Sequence, residues 1–263
     1  MAGTPTAQEL TAQPPTAPTP TWTADGPPDA PPIVFVHGAV ISGMWGPQIA
    51  RLRDRYRCVT VDLPGHGRLA AQAFTLDAAV ESVRMAIDAE AGGRTVLVGL
   101  SLGGYVSMAV AARYPDRVRG LVVANASLEP IGFAGVAVLA YGWLLRWLPA
   151  GLTREVNVGL FRRAYGRALA AELAAGYDSR AGGHAVRQIR GGRFRDRVRA
   201  YGGPVLVLNG DRDRVFTAGE RRFVAGLPNV TVRRLPGASH LSNLDRPDDF
   251  ADAVATFAAG LAS

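Results

Sequence analysis

The feature that most constrains this chain is the return of short apolar runs separated by helical patterns. Residues 33–36 form such a run, bounded by Pro32 before and Gly38 after. Similar runs recur at 58–61, 95–100, 118–124, 205–208 and 230–235. A strand with one wet face alternates apolar and polar residues, whereas a strand covered on both faces reads as a continuous apolar run. Helical periodicity lies between the runs, at 45–55, 76–89, 102–113, 219–225 and 248–261. Strand alternating with helix predicts the α/β class: a mostly parallel central sheet, right-handed crossovers and helices on both faces.

The alternation breaks once. Between 128 and 200 Ala, Leu, Trp and Arg dominate and no strand is legible, which reads as an insertion between two sheet strands. The expected organisation is a core of 33–127 and 201–263 carrying a helical cap at 128–200. Residues 1–32 are rich in Pro, Thr and Ala and lack periodicity, so they are expected to form a disordered tail. Trp22 is the one residue there suited to tack its end onto the body. A length of 263 residues suffices for one large core.

Composition excludes several classes. A single cysteine, Cys58, rules out an intrachain disulfide, and its apolar surroundings make it a small buried hydrophobe. No Cys/His spacing suits zinc, so neither a metal nor another cofactor is expected. The formal charge of +7 is 29 basic residues, every one of them Arg, against 22 acidic ones. The one concentration of Arg, from Arg187 to Arg199, lacks aromatic platforms or a nucleic-acid motif and reads as a solvated face. No nucleic-acid partner is expected. No basic segment leads into an apolar one at the start, and the apolar stretch 131–145 is too short for a comfortable span. A cytoplasmic protein is the expectation, and the oligomeric state is not legible.

The chemistry lies in Gly99-Leu100-Ser101-Leu102-Gly103, a G-x-S-x-G pattern between an apolar run and a helix. A sharp strand-to-helix turn there holds a serine hydroxyl exposed above the sheet, at a helix N-terminus that favours developing negative charge. Ser101 is therefore the candidate nucleophile. Serine needs a base, and that base needs an orienting acid. His240 follows the last apolar run and Asp213 follows the run at 205–208, in the chain order Ser, Asp, His. Each falls after a different strand, where open α/β sheets place their ligands. Asp211 is the rival acid, read as a turn residue, and Glu129 is a weaker rival. The two oxyanion donors are expected to be the backbone N–H groups of Leu102 and Ala39. His37 is expected to brace the oxyanion loop and His66 to structure a turn. No role falls to His184.

From Pro32 onward these pieces resemble an α/β-hydrolase: His37-Gly38, the turn from Asp62 to Gly67, the Gly99–Gly103 elbow, Gly210 to Asp213, and Ser239 to Pro247. Met44-Trp45-Gly46-Pro47-Gln48 and His240-Leu241-Ser242-Asn243-Leu244-Asp245-Arg246-Pro247 are similar to the 3-oxoadipate enol-lactonase-like branch. The resemblance implies an α/β-hydrolase fold with a cap inserted after the sixth strand, and cofactor-free cleavage of small esters or lactones. It also implies that 128–200 shapes the substrate pocket, with Val40, Phe133, Tyr141, Trp143 and Leu241 as candidate lining residues. Pocket or packing is preferred for this apolar segment over contact with a membrane. Two departures stand out. The family usually has a hairpin before the oxyanion strand, where this chain is short and Pro-rich, and Arg68 replaces a small hydroxyl residue.

The expected function is a serine hydrolase acting on a carboxylic ester, lactone or thioester through an acyl-enzyme. An acyltransferase would use the same intermediate, and a non-catalytic ligand-binding protein could keep the same fold. Ser101 at the elbow stands against dehalogenase or epoxide-hydrolase chemistry, which needs a carboxylate there.

Overall fold

The computed structural model describes residues 21–132, 159, 161–175 and 179–261. Its centre is a seven-stranded sheet with the order β1-β3-β2-β4-β5-β6-β7. The strands are β1 (Trp22–Asp25), β2 (Pro32–Val36), β3 (Arg57–Val61), β4 (Thr95–Leu100), β5 (Val118–Ala124), β6 (Val205–Gly210) and β7 (Val230–Leu235). All neighbours pair in parallel except β1, which runs antiparallel to β3. The wholly apolar runs are the central strands: β4 and β6 are buried at every position. β7 is exposed over most of its length, and as an edge strand it carries Arg233 and Arg234, which discourage pairing with another chain.

Helices cover both faces. On one side α2 (Leu76–Glu90) and α3 (Leu102–Arg113) contribute Val83, Ile87, Val106 and Val110 to a cluster with Val34, Leu97 and Leu121. On the other, α1 (Gly46–Leu52) and α9 (Pro247–Gly260) pack on Phe35, Val98 and Val122. There the fully buried Trp45 lies between Phe35 and Phe250, with ring centroids 5.1 and 5.7 Å away. Burying aromatic side chains of this size contributes on the order of 2–3 kcal/mol each, and this set ties both helices to the central strand.

The segment after β5 supplies α4 (Arg167–Ala175), α5 (Ser179–Ile189) and α6 (Phe194–Tyr201) before the chain enters β6. Leu173 of α4 packs with Val40, Ile41 and Met44, beside the loop that leaves β2. By contrast α6 belongs to the helical layer on the sheet. Its Phe194, Val198 and Tyr201, spaced to share one face, are buried with Tyr105 of α3. The helix α7 (Arg214–Val224) follows β6, and the short α8 (Ser242–Asp245) follows β7. No helix among the described residues is long and apolar enough to cross a membrane.

One expectation is corrected. The segment 1–32 is not disordered throughout, since β1 forms from Trp22 to Asp25 and residues 1–20 lie outside the described residues. The cause is pairing with β3 together with the Trp22 indole N–H, which donates to Glu90 at 3.0 Å. Four residues are too few to show a period. The helical insertion lies between β5 and β6, among the described residues the fifth and sixth strands of the chain. Among the described residues, β1 alone stands where the family usually has a hairpin.

Candidate functional site

The elbow sets the geometry. Ser101 links β4 to α3 with φ 54° and ψ −118°, outside the ordinary regions for a residue with a side chain. Strain of this kind costs of order 1–3 kcal/mol and persists only where the surroundings hold it. Here the Ser101 N–H donates to the Ala124 carbonyl at 2.9 Å, and its own carbonyl accepts from Gly104 at 2.9 Å. The helix starts so close to the sheet that a Cβ on Gly103 would collide with the carbonyls of Val36 and His37. One on Gly99 would collide with the Gly103 carbonyl and the Ser107 hydroxyl. Only glycine fits at either place, which is the physical content of the motif.

Ser101 Oγ lies 3.0 Å from His240 Nε2, and His240 Nδ1 lies 2.7 Å from Asp213 Oδ2. The three side chains come from the ends of β4, β6 and β7. Asp213 is buried and sits at the N-cap of α7, where Oδ1 accepts the Phe216 N–H at 3.4 Å. Burial pushes its carboxyl up. The hydrogen bond and charge of His240, with help from Asn125 and the Phe216 N–H, outweigh burial and hold it below the ordinary value. The His240 ring stacks on Phe216 at 5.2 Å with an interplanar angle of 19°.

The rival carboxylates are occupied elsewhere. Asp211 accepts the Gly237 N–H at 2.8 Å and so shapes the loop that carries His240. Glu129 accepts the Arg195 N–H and caps the start of α6, and burial raises its carboxyl above the usual range. Neither contacts His240.

The loop after β2, expected to supply an oxyanion donor, packs against the elbow, with the Gly38 backbone close to Leu100 and Ser101. The N–H groups of Ala39 and Leu102 donate to no acceptor among the described residues. His37 braces this loop. Its Nδ1–H donates to the Gly38 carbonyl at 2.5 Å, and its Nε2 accepts the Leu63 N–H at 3.0 Å, which fixes the neutral tautomer. Burial first, and then neighbouring His66, push its pKa down to about 3.

An unfolded His37 gains a proton below about 6.5 while the folded one stays neutral, so stability is complete above that value and falls as pH drops toward about 3. At about pH 5.5 the loss from this one group is roughly 1 kcal/mol. Melting temperature followed from about pH 7 to 5.5 should fall more steeply for the native chain than for His37→Asn.

Arg68, the departure from the family pattern, pairs through Nε with Asp62 Oδ2 at 2.5 Å. Asp62 is buried, which raises its carboxyl, but hydrogen bonds from Ser42, Arg68 and Thr21 bring it below the ordinary range. Arg68 thus neutralises a buried charge beside the loop that carries His37. Of the candidate lining residues, Val40 is buried and Leu241 half-buried, while Phe133, Tyr141 and Trp143 lie outside the described residues. Among the described residues no group of three His, Cys, Asp or Glu side chains is placed to hold a metal.

The sequence model of the alpha/beta hydrolase family matches residues 33–253. The chain belongs to that family. It is 28% identical over 240 residues to 3-oxoadipate enol-lactonase 1 of Acinetobacter baylyi, an alignment covering 86% of this chain and 88% of the relative. It is 27% identical over 243 residues to 2-(acetamidomethylene)succinate hydrolase of Mesorhizobium japonicum, covering 86% and 87%. The solved enol-lactonase of Burkholderia xenovorans has the same fold, with a TM-score of 0.77 over 91% of this chain and 96% of that one, at 23% identity.

Sequence reasoning missed Asn125 and Phe216, both in contact with the Asp213–His240 pair. For Asn125 a signal existed: a lone amide directly after an apolar strand at the elbow's neighbour. For Phe216 none did, since it reads as one more apolar residue of a helix.

Proposed function

We propose that this alpha/beta hydrolase is a serine hydrolase that cleaves a carboxylic ester, lactone or thioester without a cofactor. The observation that carries the reading is the continuous hydrogen-bonded path from Ser101 through His240 to Asp213, at 3.0 and 2.7 Å. Ser101 Oγ attacks the substrate carbonyl while His240 Nε2 takes its proton, and Asp213 stabilises the imidazolium. The oxyanion is held by the N–H groups of Ala39 and Leu102, which are free to donate. The alkoxide or thiolate leaves with the proton from His240. Water then attacks the acyl-enzyme, His240 accepts its proton, and the carboxylic acid departs as Ser101 is restored.

The names of the two curated relatives, an enol-lactonase and a succinate hydrolase, favour small substrates for this chain. The inserted segment, whose α4 packs beside Val40 and Ile41, serves as the cap over the site. The test is a panel of small esters, lactones and thioesters scored by kcat/KM, alongside a fluorophosphonate probe. Turnover of at least one carbonyl class together with covalent labelling at Ser101 is expected. Absence of labelling in the folded protein would remove the serine mechanism.

A further inference from the structure

Asn125 follows β5 directly and holds a left-handed backbone, with φ 47°. Its side chain is fully buried, and each polar atom of its amide is engaged. Nδ2 donates to Asp213 Oδ2 at 2.8 Å and to the Ser239 carbonyl at 3.3 Å. Oδ1 accepts the Ser242 hydroxyl at 2.5 Å. Ser239 and Ser242 stand on either side of His240. One planar amide therefore grips the acid and both flanks of the loop that carries the base. The Asp213 oxygen it holds is also the one that accepts from His240 Nδ1.

The residue type is dictated twice over. The backbone needs a residue that tolerates the left-handed region, which asparagine, aspartate and glycine do best. The contacts need a donor toward Asp213 and an acceptor toward Ser242 in one rigid group. Glycine supplies neither, and aspartate supplies a second carboxylate facing the first. Ser242 settles which way the amide points, because its hydroxyl donates to the oxygen and leaves the nitrogen facing Asp213.

We propose that Asn125 is a positioning residue of the hydrolase, whose amide fixes the Asp213 carboxylate and the His240 loop relative to each other. The inference rests on the reading of Ser101, His240 and Asp213 as the reacting set, and it acts through Asp213 rather than on the substrate. A carboxylate held by two donors at one oxygen has one way to face the imidazole. Freed of one donor, it rotates among several, and the imidazole spends less time aligned with Ser101.

The experiment compares Asn125→Asp, Asn125→Gly and Ser242→Ala with the native enzyme. Asn125→Asp keeps the shape, the backbone tolerance and the bond from Ser242, and it replaces the donor with a carboxylate oxygen facing Asp213, whereas Asn125→Gly removes the donor without adding charge. The kcat of Asn125→Asp should fall roughly 100-fold with KM within about twofold, and Asn125→Gly should lose about tenfold. Ser242→Ala, which keeps both donor bonds but frees the amide to turn, should lose only a few-fold. The low-field proton resonance of the His240 Nδ1–H bond to Asp213 should move in both Asn125 variants. A merely structural contact would lower the melting temperature and leave that resonance in place. Native kcat with an unmoved resonance in Asn125→Asp overturns the inference, and if that variant does not fold, the same result in Asn125→Gly does so. Failure of the native protein to label with fluorophosphonate would count against the hydrolase reading instead, since the resonance is read without substrate.

Discussion

Ser101→Ala is expected to lower kcat by about 10⁴-fold or more and to abolish fluorophosphonate labelling, because members of such a reacting set act as a unit. The residual rate should reflect donors and binding alone. Folding should be untouched: among the described residues the hydroxyl hydrogen-bonds only to His240, at 3.0 Å, which is partly exposed. A second substitution separates chemistry from strain. Alanine keeps the penalty of φ 54°, whereas glycine escapes it. Ser101→Gly should therefore be as inactive as Ser101→Ala yet more stable by about 1 kcal/mol, read as a higher melting temperature. A serine held under strain at a site of reaction is the case where stability rises as activity is lost. Retention of a tenth of the native kcat by either variant would remove Ser101 from the mechanism.

Most of the sheet was legible because burial on both faces writes itself into composition. The runs at 95–100 and 118–124 match β4 and β5 residue for residue, and 230–235 matches β7 even though that edge strand is mostly exposed. The helix 102–113 also matches α3, since it begins at the elbow glycine turn and ends before Pro115. Where the sequence misled, local pairing had replaced periodicity. The helix expected at 219–225 begins at Arg214, because Asp213 caps it from outside the apolar pattern. β1 was invisible for the same kind of reason: four residues gain their order from β3 and Glu90. The motif residues Ser101, Asp213 and His240 were legible from position after strands. Phe216 was not, and Asn125 showed only as an amide after an apolar strand, since their contacts exist only once β5 and α7 are brought beside the His240 loop.

Asp213→Asn is expected to cost roughly 10³- to 10⁴-fold in kcat, and the bonds around the carboxylate say why. Asp213 Oδ2 accepts from both His240 Nδ1 and Asn125 Nδ2, while Oδ1 faces the Phe216 N–H. All the neighbours are donors, and an amide has only one oxygen to offer them. With that oxygen toward His240, the new NH₂ points at the Phe216 N–H, donor against donor. With it toward Phe216, the NH₂ donates to His240 Nδ1 and drives the proton to Nε2, where it can no longer accept the Ser101 proton. Either way the charge that stabilises the imidazolium is gone. Asp211→Asn faces no such conflict, because its single acceptor bond, to the Gly237 N–H at 2.8 Å, passes to the amide oxygen. Its effect should stay within a few-fold, as for an exposed substitution worth about 0.5 kcal/mol. Measuring kcat for both variants against one substrate decides between them. A larger loss for Asp211→Asn would transfer the role of acid to Asp211, and the distance of 2.7 Å between His240 and Asp213 would then be a contact without catalytic weight.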